Sequence, residues 1–144
     1  MKISISLIAS LINTASAVLV TYYQIQPAGT TDTLHATGDL RFYQANDYLN
    51  VWAINAVDGG GATIKNAFTN INPYVSCDDT ACKSVAQQPT PFTFEDAGAG
   101  AFRVRNPANG LVWTAADSTI KPAPADGSQA QKFVFQPVQM TLPS

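Results

Sequence analysis

Asn50-Val51-Trp52-Ala53-Ile54, Thr90-Pro91-Phe92-Thr93-Phe94 and Gln131-Lys132-Phe133-Val134-Phe135 are three versions of one short pattern: a polar residue, a large ring two places on, and an apolar residue two places after that. Trp52 to Phe92 is 40 residues and Phe92 to Phe133 is 41. A second landmark keeps the same interval. Tyr23-Gln24-Ile25, Ala62-Thr63-Ile64 and Phe102-Arg103-Val104 open the three units, with Ile25 to Ile64 spaced by 39 and Ile64 to Val104 by 40. Between opening and close lie Leu34-His35-Ala36, Tyr74-Val75-Ser76-Cys77 and Val112-Trp113-Thr114. Large apolar residues recurring at a fixed interval mark a repeat architecture, in which one unit covers its apolar face with its siblings.

Within each unit the apolar residues alternate with polar or small ones such as Gln24, Thr93 and Arg103. A period of two gives a strand with one buried and one solvated face. Turn signals separate the strands: Pro27-Ala28-Gly29, Asp58-Gly59-Gly60-Gly61, Asp96 to Gly100, Pro107 to Gly110, and Asp126-Gly127. No apolar stripe of helical period follows residue 20. The chain therefore reads as all-β. Three units of about 40 residues with about four strands each predict a β-trefoil with pseudo-threefold symmetry, half of the strands in a barrel and half in a triangular cap. A three-bladed propeller falls below the usual blade number. An unrepeated β-sandwich is the other alternative.

The polar-x-aromatic-x-apolar unit end resembles the Gln-x-Trp repeat of the ricin-B-type lectins, as does the opening, clearest in Phe102-Arg103-Val104-Arg105-Asn106-Pro107-Ala108-Asn109-Gly110. Gln stands only in the third close and Trp only in the first. The likeness runs over residues 20–138 and is similar to that of small secreted fungal-type trefoil proteins with degenerate repeats. It implies carbohydrate binding. In that family a sugar sits against an Asp of the second strand, an aromatic platform on the third, and Asn or Gln at the unit end. A carboxylate accepts hydroxyl protons, a ring covers the C–H face of a hexose, and an amide both donates and accepts. Here His35, Ser76 and Trp113 or Thr114 stand at the Asp position, and none is acidic.

The candidate sugar-binding residues are His35, Asp39, Tyr43 and Asn50 in the first unit, and Trp113, Asp117 and Gln131 in the third. The first unit is the richest, with Phe42, Asn46 and Asp47 beside them; Tyr43 is expected to face outward near Asp39 if it forms a platform. Asp39, Asp78 and Asp117 recur at intervals of 39 and 39. They read either as three related rim sites or as turn residues that bond backbone N–H groups. Trp113 is either an exposed anchor or a core ring.

The chain has 144 residues, 46% hydrophobic and 12% charged, with net charge −2. That suffices for one core. Without a cluster of Lys or Arg, nucleic acid and anionic membrane are poor partners. Met1-Lys2, an apolar stretch from Ile3 to Ile12 and Ala15-Ser16-Ala17 form the parts of a secretory signal, with cleavage expected after Ala17. Residues 18–144 then form a single domain with repeats at about 20–58, 59–97 and 98–138, secreted and extracellular. The stretch is too short to span a bilayer, so no membrane insertion is expected. Cys77 and Cys82 are expected to pair in an oxidising compartment. Two cysteines alone are a poor zinc site, and no metal or other cofactor is expected.

No catalytic residues are assigned. His35 is the one histidine and is expected on a strand surface; no Gly-x-Ser-x-Gly elbow accompanies it. Asp78-Asp79 and Glu95-Asp96 are sequence neighbours whose side chains leave a strand on opposite faces. The chain therefore reads as a lectin-like, non-enzymatic module whose partners are glycans or glycoproteins, with an immunomodulatory or defence role downstream. The alternative is a trefoil that binds a protein through a loop, such as a protease inhibitor, using Asn55–Gly61 or the Cys77–Cys82 loop.

Overall fold

A computed structural model describes residues 19–141, so the signal segment expected over residues 1–17 lies outside the described residues. Among the described residues there are twelve strands: β1 (Leu19–Pro27), β2 (Thr33–Ala36), β3 (Leu40–Tyr43), β4 (Trp52–Ala56), β5 (Ala62–Asn66), β6 (Tyr74–Cys77), β7 (Cys82–Val85), β8 (Thr93–Gly98), β9 (Ala101–Arg105), β10 (Val112–Ala116), β11 (Thr119–Ala123) and β12 (Phe133–Thr141). β1, β4, β5, β8, β9 and β12 form a barrel. β1 pairs with both β4 and β12, β4 with β5, β8 with β9, and β9 with β12. The ring closes through a backbone bridge between Ala62 and Phe92, which exchange N–H to O bonds of 2.9 and 2.8 Å. Hairpins β2–β3, β6–β7 and β10–β11 make the cap.

The pairing reproduces the sequence repeat. Within the units, Tyr23 stands opposite Trp52, Ala62 opposite Phe92, and Phe102 opposite Phe133. Between units, Ile54 stands opposite Ile64, Phe94 opposite Val104, and Phe135 opposite Ile25. The landmarks thus meet in register three times over, which makes the fold a β-trefoil. Trp52, Phe92 and Phe133 are fully buried members of one core with Leu34, Val75 and Trp113 from the cap hairpins. Rings interlock edge to face: Trp113 lies 5.4 Å from Phe92 and 5.5 Å from Phe133, and Phe135 contacts Tyr23, Phe94 and Phe102.

Gly61 serves the closure directly. Its φ is +80°, and a Cβ there would sit 2.8 Å from the Phe92 carbonyl oxygen. Gly61→Ala combines left-handed strain with a clash against backbone that cannot give way without opening the bridge. It is expected to cost about 2 kcal/mol or more, read from the denaturant midpoint. A change below about 0.5 kcal/mol would show that the β5–β8 closure contributes little.

The Cys77–Cys82 disulfide is formed and ties the β6–β7 hairpin, where the two residues are directly paired. Among the described residues no helix is long and apolar enough to cross a membrane, and no group of three or more His, Cys, Asp or Glu is placed to hold a metal.

Candidate functional site

The β2–β3 hairpin pairs Thr33 with Tyr43, Leu34 with Phe42, His35 with Arg41 and Ala36 with Leu40. Leu34, Leu40 and Phe42 face the core. The opposite face of β2 is also covered, because the segment from Gln44 to Asn50 folds back over it. His35 is 0% exposed, which corrects the expectation of a surface strand residue. Its ring stacks on Tyr43 with centroids 3.8 Å apart. Nδ1 lies 2.8 Å from Asp47 Oδ1, and a carboxylate only accepts, so Nδ1 carries the hydrogen. Nε2 lies 2.9 Å from Thr33 Oγ1 and 3.2 Å from the Tyr43 carbonyl oxygen. Asp47 also accepts from the Leu49 N–H and the Tyr43 hydroxyl, and Asn50 Nδ2 donates to Thr33 Oγ1. Thr33, His35, Tyr43, Asp47 and Asn50 form one bonded cluster.

Partial burial works against ionisation of Asp47, yet hydrogen bonds from Tyr43, Leu49 and His35 together hold its carboxyl below the usual range. The Tyr43 phenol is pushed up, first by burial and then by bonding to Asp47. Asp78 is held low by the N–H groups of Thr80 and Ala81, Glu95 by Arg105, and Asp126 by the hydroxyl and N–H of Ser128. Each of these carboxylates has a folded value below its unfolded one. Their stabilisation is therefore present above the unfolded value of about 4 and is lost as pH falls through the folded values. The thermal midpoint is expected to fall as pH drops below about 4. Asp47→Asn is expected to flatten part of that fall, and an unchanged slope would remove Asp47 from the account.

The polar residue of each unit end turns inward in the same way. Thr90 Oγ1 accepts from the Cys77 N–H and lies 3.4 Å from Ser76 Oγ. Gln131 donates to Thr114 Oγ1 and the Pro124 carbonyl and accepts from the Asp126 N–H. Asn50, Thr90 and Gln131 each latch a unit end to its own cap hairpin. Gln131 and Trp113 are each 1% exposed. The exposed-anchor reading of Trp113 is thereby corrected: the β10 residue facing the barrel axis is the ring, and it fills the space between Phe92 and Phe133.

Asp39 and Asp117 do not join the cluster. Asp39 sits at the tip of the β2–β3 hairpin, at the far end from the Thr33–Tyr43 pair, exposed and 3.8 Å from Arg41. The expected Asp39–Tyr43 platform is therefore absent. Asp117 and Ser118 have φ of +53° and +62° and form the two-residue loop between paired Ala116 and Thr119, a place where Asp tolerates left-handed backbone. The Asp117 carboxylate reaches Lys121 at 3.1 Å. Asp78 Oδ1 accepts from the N–H groups of Thr80 and Ala81. The recurring carboxylates sit in hairpin loops, two of them by turn chemistry.

The surface beside the cluster is concave. An open groove of about 430 Å³ is lined by Gln24 and Gln26 of β1, Thr31 and Thr33 at the approach to β2, and Gln44, Asn46 and Asn50 after β3. Among the described residues no charged side chain lines it. A second cleft, of about 320 Å³, shares Gln24, Asn46 and Asn50 and adds Tyr48, Val51, Phe68 and Val138. Hydrogen bonds from the Ala67 N–H to the Val51 carbonyl and from Asn66 Nδ2 to the Leu49 carbonyl hold the neighbouring loops together. Asn46 and Asn50 of this lining carry a sequence signal; Gln24 reads as part of a solvated strand face, and no sequence signal marks Gln26, Tyr48 or Phe68. Asp47, read only as an accompaniment, is the residue that closes the cluster.

No family model and no curated protein matches the sequence. The fold does match solved structures. The Macrolepiota procera ricin B-like lectin in complex with lactose has a TM-score of 0.67 and 15% identity, covering 80% of this chain and 94% of that one. SeviL bound to an asialo-GM1 saccharide has a TM-score of 0.67 and 14% identity, over 80% and 94%. A GlcNAcα1-4Gal-releasing endo-β-galactosidase from Clostridium perfringens has a TM-score of 0.70 and 14% identity, over 81% of this chain but 32% of that one. The chain has the β-trefoil fold of ricin B-like lectins.

Proposed function

We propose that this trefoil is a secreted, non-enzymatic carbohydrate-binding module that holds a neutral glycan in the groove of its first unit. The observation that carries the reading is the lining of that groove: amides and hydroxyls from Gln24, Gln26, Thr31, Thr33, Gln44, Asn46 and Asn50, with no ionised group among the described residues. A sugar hydroxyl both donates and accepts, and an amide matches it in both senses. A site without charge favours a neutral sugar over a sialylated or sulfated one, whose anion would lose hydration without gaining a partner. Gln24 and Asn46 contact the ligand, and Asn50, His35 and Tyr43 act through Thr33 by holding the groove wall. Secretion is supported by the disulfide, which suits an oxidising compartment. A defence or immunomodulatory role would follow from binding.

The test is a neutral-glycan array at high protein density, with Gln24→Ala and Asn46→Ala as variants. Retention of at least one neutral glycan, weakened about tenfold by either variant, corresponding to about 1.4 kcal/mol, is expected. A blank array would remove the reading.

A second reading has one observation in its favour. The Cys77–Cys82 loop is stiffened by its disulfide and by the Asp78 turn, and a stiff loop loses less entropy when it docks into a protease cleft. Inhibition of a papain-like or trypsin-like protease, lost in Cys82→Ser, would favour it over the glycan reading.

A further inference from the structure

We infer that the cleft beside the groove receives an apolar aglycone, so that the preferred ligand is a neutral sugar joined to an alkyl or aryl group. This rests on the glycan reading of the groove and extends it. The groove and the cleft adjoin, with Gln24, Asn46 and Asn50 lining both. One ligand lying across those shared amides would therefore touch both. Across that boundary the lining changes from amides and hydroxyls to Tyr48, Val51, Phe68 and Val138, and among the described residues no charged side chain lines either part.

Two further features point to occupancy of the cleft. Tyr48 is 69% exposed and Phe68 47% exposed, the two exposed rings among the described residues, where the others are buried or half-buried. The two rings pack against each other, with centroids 5.7 Å apart and planes tilted by 53°, and together present one apolar wall to the cleft. Tyr48 is also held at φ +61°. The same left-handed backbone occurs at Asn72, Gln88, Ala99, Asp117 and Ser118, and at Tyr48 the turn holds the ring out of the core. The apolar group on the ligand would supply the missing cover.

The glycan class and the apolar group are separable by experiment. The full chain is titrated with methyl and octyl β-glycosides of galactose, glucose and N-acetylglucosamine, the octyl compounds below their micelle concentration. For at least one sugar the octyl compound is expected to bind ten times or more as tightly as the methyl compound. The double variant Tyr48→Ala/Phe68→Ala is expected to lose that gain while its methyl-glycoside affinity stays unchanged. Both side chains are exposed, so an unaltered melting curve serves as the folding control. With a positive glycan array, equal methyl and octyl affinities overturn the aglycone inference and leave the groove reading standing. So does an octyl gain that survives in the double variant. Octyl binding that ignores the sugar, together with a blank array, overturns the groove reading and the inference joined to it. If a protein ligand is lost in the double variant while the octyl-to-methyl ratio is near one, the rings belong to a protein interface and the inference falls.

Discussion

Trp113→Ala is expected to lower unfolding stability by about 3–5 kcal/mol, a large share of the roughly 5–15 kcal/mol available to a domain of this kind. The indole is 1% exposed and stands edge-on to both Phe92 and Phe133. Those rings belong to two different unit ends, so the cavity left by alanine opens where units meet and cannot be filled by movement within one of them. The indole N–H is buried and has no hydrogen-bond partner, whereas the Trp52 N–H donates to the Leu34 carbonyl at 2.8 Å. A stranded donor carries a desolvation cost that its removal relieves. Trp113→Phe is therefore expected to cost much less than alanine, about 1–2 kcal/mol, because lost volume and the relieved donor act in opposite directions. Denaturant midpoints for the two variants check this. Equal losses would show that the unpaired N–H is not a liability.

His35→Ala is expected to cost about 2–4 kcal/mol and to weaken glycan binding without removing any ligand contact. The imidazole is the hub between Thr33, Tyr43 and Asp47. Deleting it leaves the Thr33 hydroxyl short of a partner and takes the stacking surface from Tyr43. It also releases Asp47, which anchors the Leu49 N–H and with it the segment that carries Asn46 and Asn50. A double-mutant cycle with Asp47→Ala isolates the pair, and a coupling near zero would mean that the two residues act independently. If affinity stays unchanged while stability falls, the cluster supports the fold and not the groove.

Much of the barrel was legible before any coordinates. The i, i+2 pairs at 23/25, 52/54, 92/94, 102/104 and 133/135 report which strand face is buried, and that is local information. Their threefold spacing reports how the strands must pair, because register in a sheet is set by the apolar pattern. The pairing of Ile54 with Ile64, Phe94 with Val104 and Phe135 with Ile25 follows that pattern directly. The β10 hairpin was less legible, since Val112 and Trp113 are both apolar and periodicity alone does not choose which one faces the axis.

The sequence by itself determined the trefoil, its three units and its single disulfide, because strand alternation and repeat length are properties of neighbouring residues and of one fixed interval. The site was decided by tertiary structure. Gln24 on β1, Asn46 after β3, Phe68 after β5 and Val138 on β12 share no period, and they line one cleft only because barrel closure carries β1 against both β4 and β12. The fold-back of the segment from Gln44 to Asn50 likewise buried His35, which the strand pattern left in solvent. Loop packing is a long-range consequence of where the strand ends arrive, and no spacing along the chain encodes it.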